Sequence, residues 1–333
     1  MFLANVRKPV KKSPFLFTLM LAMAAVIPAG LFAEAGDITW KIGTGIGVIY
    51  GQSEEIVYVD LQSDDYLSQL LWDMKPLVYL GFNMEFDWES RDRMGYFAEA
   101  SFKVGLPGIT GVMEDRDWVG LVGGVWNSNW LTHYSVHDNK TNEAFLLDIN
   151  AGSFMRFSNS FVFKYFLSYS WMHFLWTASG GSILYPKYPN GSEGHGYLLS
   201  NDDVISYTQD WHIVSLGASF YAEFNDHFNI NLSLKLSPFV SVWAVDDHIL
   251  RHLVVTDDLE KGLMAEPGLL FSFTSGFFSL SLSASYRGII DTRGDAYYDY
   301  EPPATESDFY DTNGSGAGYS AWDVGLIASF KVL

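Results

Sequence analysis

Residues 228–248 read FNINLSLKLSPFVSVWAVDDH. Phe228, Ile230, Leu232, Leu234 and Leu236 alternate with Asn229, Asn231, Ser233, Lys235 and Ser237. Side chains two apart share one face of a strand, so this is a two-faced strand, apolar on one side and polar on the other. It carries an acid and an imidazole at its far end, where Asp246 and His248 can act as a pair while Asp247 points away. Asp115 and Asp117 repeat the spacing on a second candidate strand.

The same alternation runs through the chain. Trp40, Ile42, Ile46, Val48 and Tyr50 stand against Lys41, Gly43, Gly45, Gly47 and Gly51. Val78 to Phe86 and Tyr96 to Leu106 follow the rule, and so do Trp322 to Val332. The glycines at 43, 45 and 47 do not make a nucleotide loop, because no helix follows and they sit on one strand face. Further strands are expected near 139–156, 161–177, 203–222, 227–246, 262–274 and 277–290. Short connections near 88–94, 157–160, 223–227 and 274–277 alternate with long ones near 53–66, 111–138, 178–202, 247–261 and 291–318. Short turns on one side and long loops on the other predict an all-β fold: a ten-stranded antiparallel transmembrane β-barrel with long extracellular loops.

Composition agrees with that class. Arg7, Lys8, Lys11 and Lys12 precede an apolar run from Phe15 to Ile27, with Ala33 and Ala35 spaced as at a cleavage site. Residues 1–35 are expected to be a signal peptide and 36–333 the barrel domain. Removing the leader takes Lys+Arg from 20 to 16 and Asp+Glu from 39 to 38, so the net charge goes from −19 to −22. Such a surface repels nucleic acid and favours cationic partners. The chain has no Cys, hence neither disulfides nor a thiol nucleophile, and 17% of its residues are aromatic.

Chemistry is expected at the outer rim, where Glu55, Asp115, Asp117, Asp246 and His248 gather. An imidazole held by a carboxylate takes a proton from water, and a facing carboxylate pair can hold that water. Nearby carboxylates favour the charged imidazole and raise its pKa. Strict alternation from Leu236 would place Asp246 and His248 towards lipid, so a bulge near Pro238, or the rise of the strand above the membrane, is required. There is no G-x-S-x-G elbow, and His248 and His252 lack the Glu of a zinc helix because Ile249 stands in its place. The acidic segment from Asp291 to Asp311 reads as a solvated loop rather than a calcium site. No metal or cofactor is called for.

Leu67-Ser68-Gln69-Leu70 followed by Trp72-Asp73, Met113-Glu114-Asp115-Arg116-Asp117-Trp118, Pro189-Asn190-Gly191 and Asp246-Asp247-His248 occur in this order. In these pieces the chain resembles the omptins, ten-stranded outer-membrane proteases. The resemblance implies that Asp246 and His248 activate water opposite Asp115 and Asp117. It also implies endoproteolysis without a covalent intermediate, after a basic residue. Glu55 matches an acid at the base of the pocket for that residue, whereas Ala244 stands where the second acid is expected.

Trp171 and His173 stand at positions matching the basic and acidic groups with which the family binds lipopolysaccharide, and Asp210 falls near another basic position, which predicts an outer membrane poor in that lipid or independence from it. The expected protein is a monomer in the outer membrane, its site facing outward and its substrates cationic polypeptides. The alternatives are a non-catalytic barrel serving as an adhesin or structural protein, and a narrow porin.

Overall fold

The computed structural model describes residues 37–332 apart from 60–64, 91–92, 123–124, 127–128, 187–193 and 305. The expected signal peptide and the Pro189-Asn190-Gly191 piece lie outside the described residues. Ten long strands follow one another around a ring: β1 (Asp37–Tyr58), β2 (Tyr66–Glu89), β3 (Met94–Gly105, resuming as Gly108–Asp117), β4 (His133–Ser158), β5 (Phe161–Tyr185), β6 (Asp203–Glu223), β7 (Phe228–His248), β8 (Leu253–Ser275), β9 (Phe278–Tyr300) and β10 (Phe309–Lys331). Each pairs antiparallel with the next, and β1 closes the ring on β10 from Lys41 opposite Lys331 to Val57 opposite Ser315. Closure leaves no unpaired edge among the long strands, which is what lets a sheet cross lipid. No helix of the described residues is long and apolar enough to cross a membrane.

The strands are longer than alternation alone indicates. β7, β8, β9 and β10 run through most of the stretches expected to be the loops 247–261 and 291–318, so the acidic segment after Asp291 is largely a hairpin. Bulges hide this extension in the sequence. On β7, Leu236 is exposed, Ser237 buried, Pro238 and Phe239 both exposed, and Val240 buried again. Two consecutive outward residues flip the parity, and the register with β8 shifts between Ser237 and Val240. Odd residues face the lumen below the bulge; Val242, Ala244 and Asp246 face it above.

Shifts of the same kind occur at Lys75–Pro76 of β2, beside Asn142 of β4, at Glu260–Lys261 of β8 and near Ile290 of β9. Pro76 and Pro238 have no N–H to donate, so a bulge is where they fit. In β3 the correction falls at Gly111, whose φ of 121° suits glycine and where a Cβ would lie 2.7 Å from that of Asp73.

Below the bulges the outside is a band of exposed apolar residues, including Ile46, Leu80, Phe82, Leu232, Leu234 and Leu326. Tyr50, Trp322 and Tyr286 lie side by side on adjacent strands at its upper edge. The lumen of this band is crossed by ion pairs. Lys235 bridges Asp148 (3.2 Å) and Glu266 (2.7 Å), and Arg287 bridges Glu266 (2.5 Å) and Asp148 (2.9 Å). Lys103 pairs with Asp323, which also accepts from Tyr79 at 2.6 Å. Nearer the inner end, Lys164 meets Glu99 at 2.9 Å and Lys41 meets Glu85 at 2.8 Å.

Above these tiers an aromatic stack fills the barrel. Trp72 lies 5.9 Å from Trp176 and 5.3 Å from Tyr207, with Phe174 5.0 Å from Trp176, and all four are fully buried. It floors the cleft in which the rim carboxylates stand.

Candidate active site

Each candidate residue sits on a strand rather than in a loop, beyond the aromatic edge of the lipid band. Glu55 is five residues past Tyr50 along β1, roughly 16 Å of strand. Asp115 and Asp117 end β3, paired with Leu70 and Ser68 of β2 on one side and with Ser135 and His133 of β4 on the other. Asp246 and His248 end β7, opposite Val255 and Leu253 of β8. The strands β3 and β7 are far apart around the ring, so their ends face each other across the cleft.

His248 Nε2 lies 2.7 Å from Asp246 Oδ2. The Asp246 side chain is fully buried and that of His248 is 15% exposed, so the imidazole alone reaches the solvent-facing side of the pair. Burial works against a charged imidazole, but the attraction of Asp246, 2.7 Å away, outweighs it and raises the His248 pKa above the ordinary value. Asp115 lies close enough to contribute to that rise, and His248 in turn draws the Asp115 pKa down. All four residues therefore belong to one electrostatic unit.

Asp115 is pushed up to about 8, first by burial and then by the neighbouring Asp117. Its Oδ1 is shut off from solvent without a hydrogen-bond partner. Asp117 is more open, with His133 Nδ1 3.9 Å from its Oδ2. Near neutral pH the Asp115–Asp117 pair thus carries a proton, so this wall offers both a donor and an acceptor. Glu55 is also raised well above its usual range, by burial and then by Asp246 and Asp257.

Two residues were not legible in the sequence. Arg251 ends the short 3-10 turn Ile249–Arg251 between β7 and β8, and its charge acts on both Asp115 and His248. Asp257 lies on β8, directly opposite Ala244 in the register. It is 1% exposed and pushed up to about 7 by burial, against a hydrogen bond from Ser315 and with Asp246 adding to the rise. Asp257 falls within a stretch expected to be a loop, and only the β7–β8 pairing brings it inward. Among the described residues no group of three or more His, Asp and Glu has the arrangement to hold a metal ion.

These buried acids link stability to pH. The folded chain retains protons on Asp115, Asp257 and Glu55 that the unfolded chain releases near pH 4, so stability falls as pH rises from about 4 to 8. His248, with its raised pKa, acts in the same direction between its ordinary value and its folded one. Urea unfolding in lipid vesicles should show a loss of about 6 kcal/mol between pH 5 and pH 8, about 4 of it from Asp115. Asp115→Asn should be more stable than the parent at pH 8, and an equal pH slope in the two proteins would exclude Asp115 as a source.

On the outside, Trp171, His173 and Asp210 have the opposite parity to the buried Met172, Phe174 and Trp211. Asp210 Oδ1 accepts from Trp171 Nε1 at 3.1 Å and lies 3.0 Å from His173 Nδ1. Glu143 Oε2 stands 3.7 Å from the other nitrogen of His173. These four side chains include two carboxylates and neither Lys nor Arg; the exposed Lys140 stands on the same outer face of β4, three residues before Glu143.

Comparison with known proteins places this architecture. The Omptin family model matches residues 36–331. The plasminogen activator of Yersinia pestis is 25% identical over 247 residues, covering 73% of this chain and 75% of that protein. The outer membrane protease OmpP of Escherichia coli K12 is 26% identical over 242 residues, covering 71% and 73%. The crystal structure of the outer membrane protease OmpT from Escherichia coli superposes with a TM-score of 0.76 at 17% identity, covering 88% of this chain and 96% of that one. At that identity the superposition speaks for the fold.

Proposed function

The chain belongs to the omptin family, outer-membrane proteins with extracellular active sites, and on that premise we propose that it is an endopeptidase using Asp246, His248, Asp115 and Asp117. Two of its relatives, OmpP and Protease 7 of Escherichia coli, are named proteases and a third is named a plasminogen activator, which supports a peptidase acting on polypeptides. One observation carries the finer reading: the His248–Asp246 contact of 2.7 Å, set across the cleft from a carboxylate pair that shares its electrostatics.

In this reading water sits between His248 and the Asp115–Asp117 pair. His248 takes a proton as the water oxygen attacks the scissile carbonyl carbon, and Asp246 stabilises the imidazolium that forms. The carbonyl π electrons move to oxygen, where the protonated member of the aspartate pair can donate a hydrogen bond. As the intermediate collapses, the C–N bond breaks and the departing amine takes the proton from His248. No bond to the protein forms. The acid-lined cleft and the net charge favour a cationic side chain on the acyl side of the cut.

The test is cleavage of an internally quenched peptide containing Arg-Arg by the refolded barrel, beside a broad peptide library. Cleavage after Arg supports the reading. A well-folded barrel that cuts neither the peptide nor the library overturns it.

Lipopolysaccharide independence belongs to the same proposal. The outer patch has carboxylates at Asp210 and Glu143, and the Asp210 oxygen already accepts from Trp171. Phosphate recognition draws on cationic donors. The barrel should therefore reach full activity in detergent without added lipopolysaccharide. A requirement for that lipid, seen as activity only after its addition, would exclude the idea.

A further inference from the structure

Glu55 and Asp257 come from opposite sides of a small-residue wall, and each feels Asp246. Glu55 is 3% exposed and Asp257 1%. Glu55 Oε2 and Asp257 Oδ1 have no hydrogen-bond partner, although a buried carboxylate oxygen normally has one. None of the groups with the strongest influence on either carboxyl is a cation. Two sealed, unpartnered carboxylate oxygens beside a hydrolytic site are therefore built for a positive group that comes and goes.

The surroundings define its shape. Asp257 is flanked in the register by Ala244 on β7 and Ala296 on β9, and Glu55 by Ala317 on β10. These three alanines face the lumen and are buried beside the carboxylates, so no long side chain of the neighbouring strands covers the two acids at these register positions. Tyr207 and Tyr298 stand near enough to feel both acids, so aromatic rings stand beside the pair. A flat cation on an apolar stem suits carboxylates joined by aromatic faces.

We propose that Asp257 supplies, from the neighbouring strand, the carboxylate that Ala244 lacks, so that Glu55 and Asp257 together bind the Arg or Lys side chain before the scissile bond. The inference rests on the proteolytic reading for its substrate, but the cation site can be tested without it. Across β7 and β8 the alanine stands at Ala244 and the acid directly opposite at Asp257, so the carboxylate comes from the neighbouring strand. Asp257 is a specificity-determining residue in this scheme and does not touch the reacting atoms.

Two measurements decide it. The first is the ratio of kcat/KM for a quenched peptide with Arg before the cut to that for the citrulline peptide, which has the same shape without the charge. Asp257→Asn should lower this ratio about 10- to 100-fold, the loss expected when one charged hydrogen bond is removed. The double variant Ala244→Asp with Asp257→Ala should restore it to within a few-fold of the parent. The second is calorimetric titration of the refolded barrel with butylguanidinium, with butylurea as the uncharged control.

Saturable binding of the cation alone, weakened by Asp257→Asn and recovered in the double variant, supports the pair. An unchanged Arg-to-citrulline ratio in Asp257→Asn, equal losses on both peptides, or no binding of butylguanidinium by the parent overturns it. A barrel that cleaves nothing but binds the cation through Asp257 overturns the proteolytic reading and leaves the cation site standing.

Discussion

His248→Ala lowers kcat/KM for the Arg-Arg peptide by about 10²- to 10⁴-fold, the range in which a positioned general base contributes. The expectation follows from the 2.7 Å contact with Asp246 and the limited exposure of the imidazole, which make it the one group of the couple able to meet a water. Asp115→Ala should cost a comparable factor, because it removes the wall that holds that water and donates to the developing oxyanion. The double variant should lose little more than either alone, as for groups that act in one step. Folding of each variant is checked by heat-dependent migration on gels.

The pH profile gives an independent reading. Only the neutral imidazole is a base, and Asp246 raises its pKa, so the acidic limb of kcat/KM should lie above the ordinary histidine value of about 6.5. Asp246→Asn should move the limb of the residual activity to lower pH. A His248→Ala protein that keeps a third or more of the parent activity would remove His248 from the mechanism.

The second large effect concerns the frame. Arg287→Met should destabilise the barrel by about 3–5 kcal/mol, the cost of breaking a buried pair on one side only. Arg287 and Lys235 each bridge Asp148 and Glu266, at distances between 2.5 and 3.2 Å. The four side chains are 10–15% exposed, so a carboxylate stripped of its guanidinium has little water to turn to. Glu266→Gln added to Arg287→Met should recover part of the loss, because the uncompensated charge is then gone. Urea unfolding in lipid vesicles measures both. A loss below about 1 kcal/mol for the single variant, the range of exposed pairs, would mean that water reaches this tier freely.

The sequence alone determined the strand class, the closed ten-stranded count and the pairing of Asp246 with His248. The strand class and the Asp246–His248 pairing rest on the period of two, a local property of the backbone that needs no knowledge of neighbours, and the count of ten on the alternation of short and long connections. Within the lipid band the period is clear because one face must be apolar and the other must not. Above the band that constraint ends: strands such as β8 and β9 continue outward, parity flips at bulges, and both faces become mixed. This is why 247–261 and 291–318 read as loops.

Only the tertiary structure decided what shares the cleft. The bulge at Pro238–Phe239 turned Asp246 inward, and closure of the ring set Asp115 across from His248. The register between β7 and β8 put Asp257 beside Ala244, and the short turn after His248 brought the charge of Arg251 over the site. Such proximities depend on strand pairing and ring closure, in which residues distant in the chain meet. A change of one residue in register would have sent each of these side chains to the other face of the sheet.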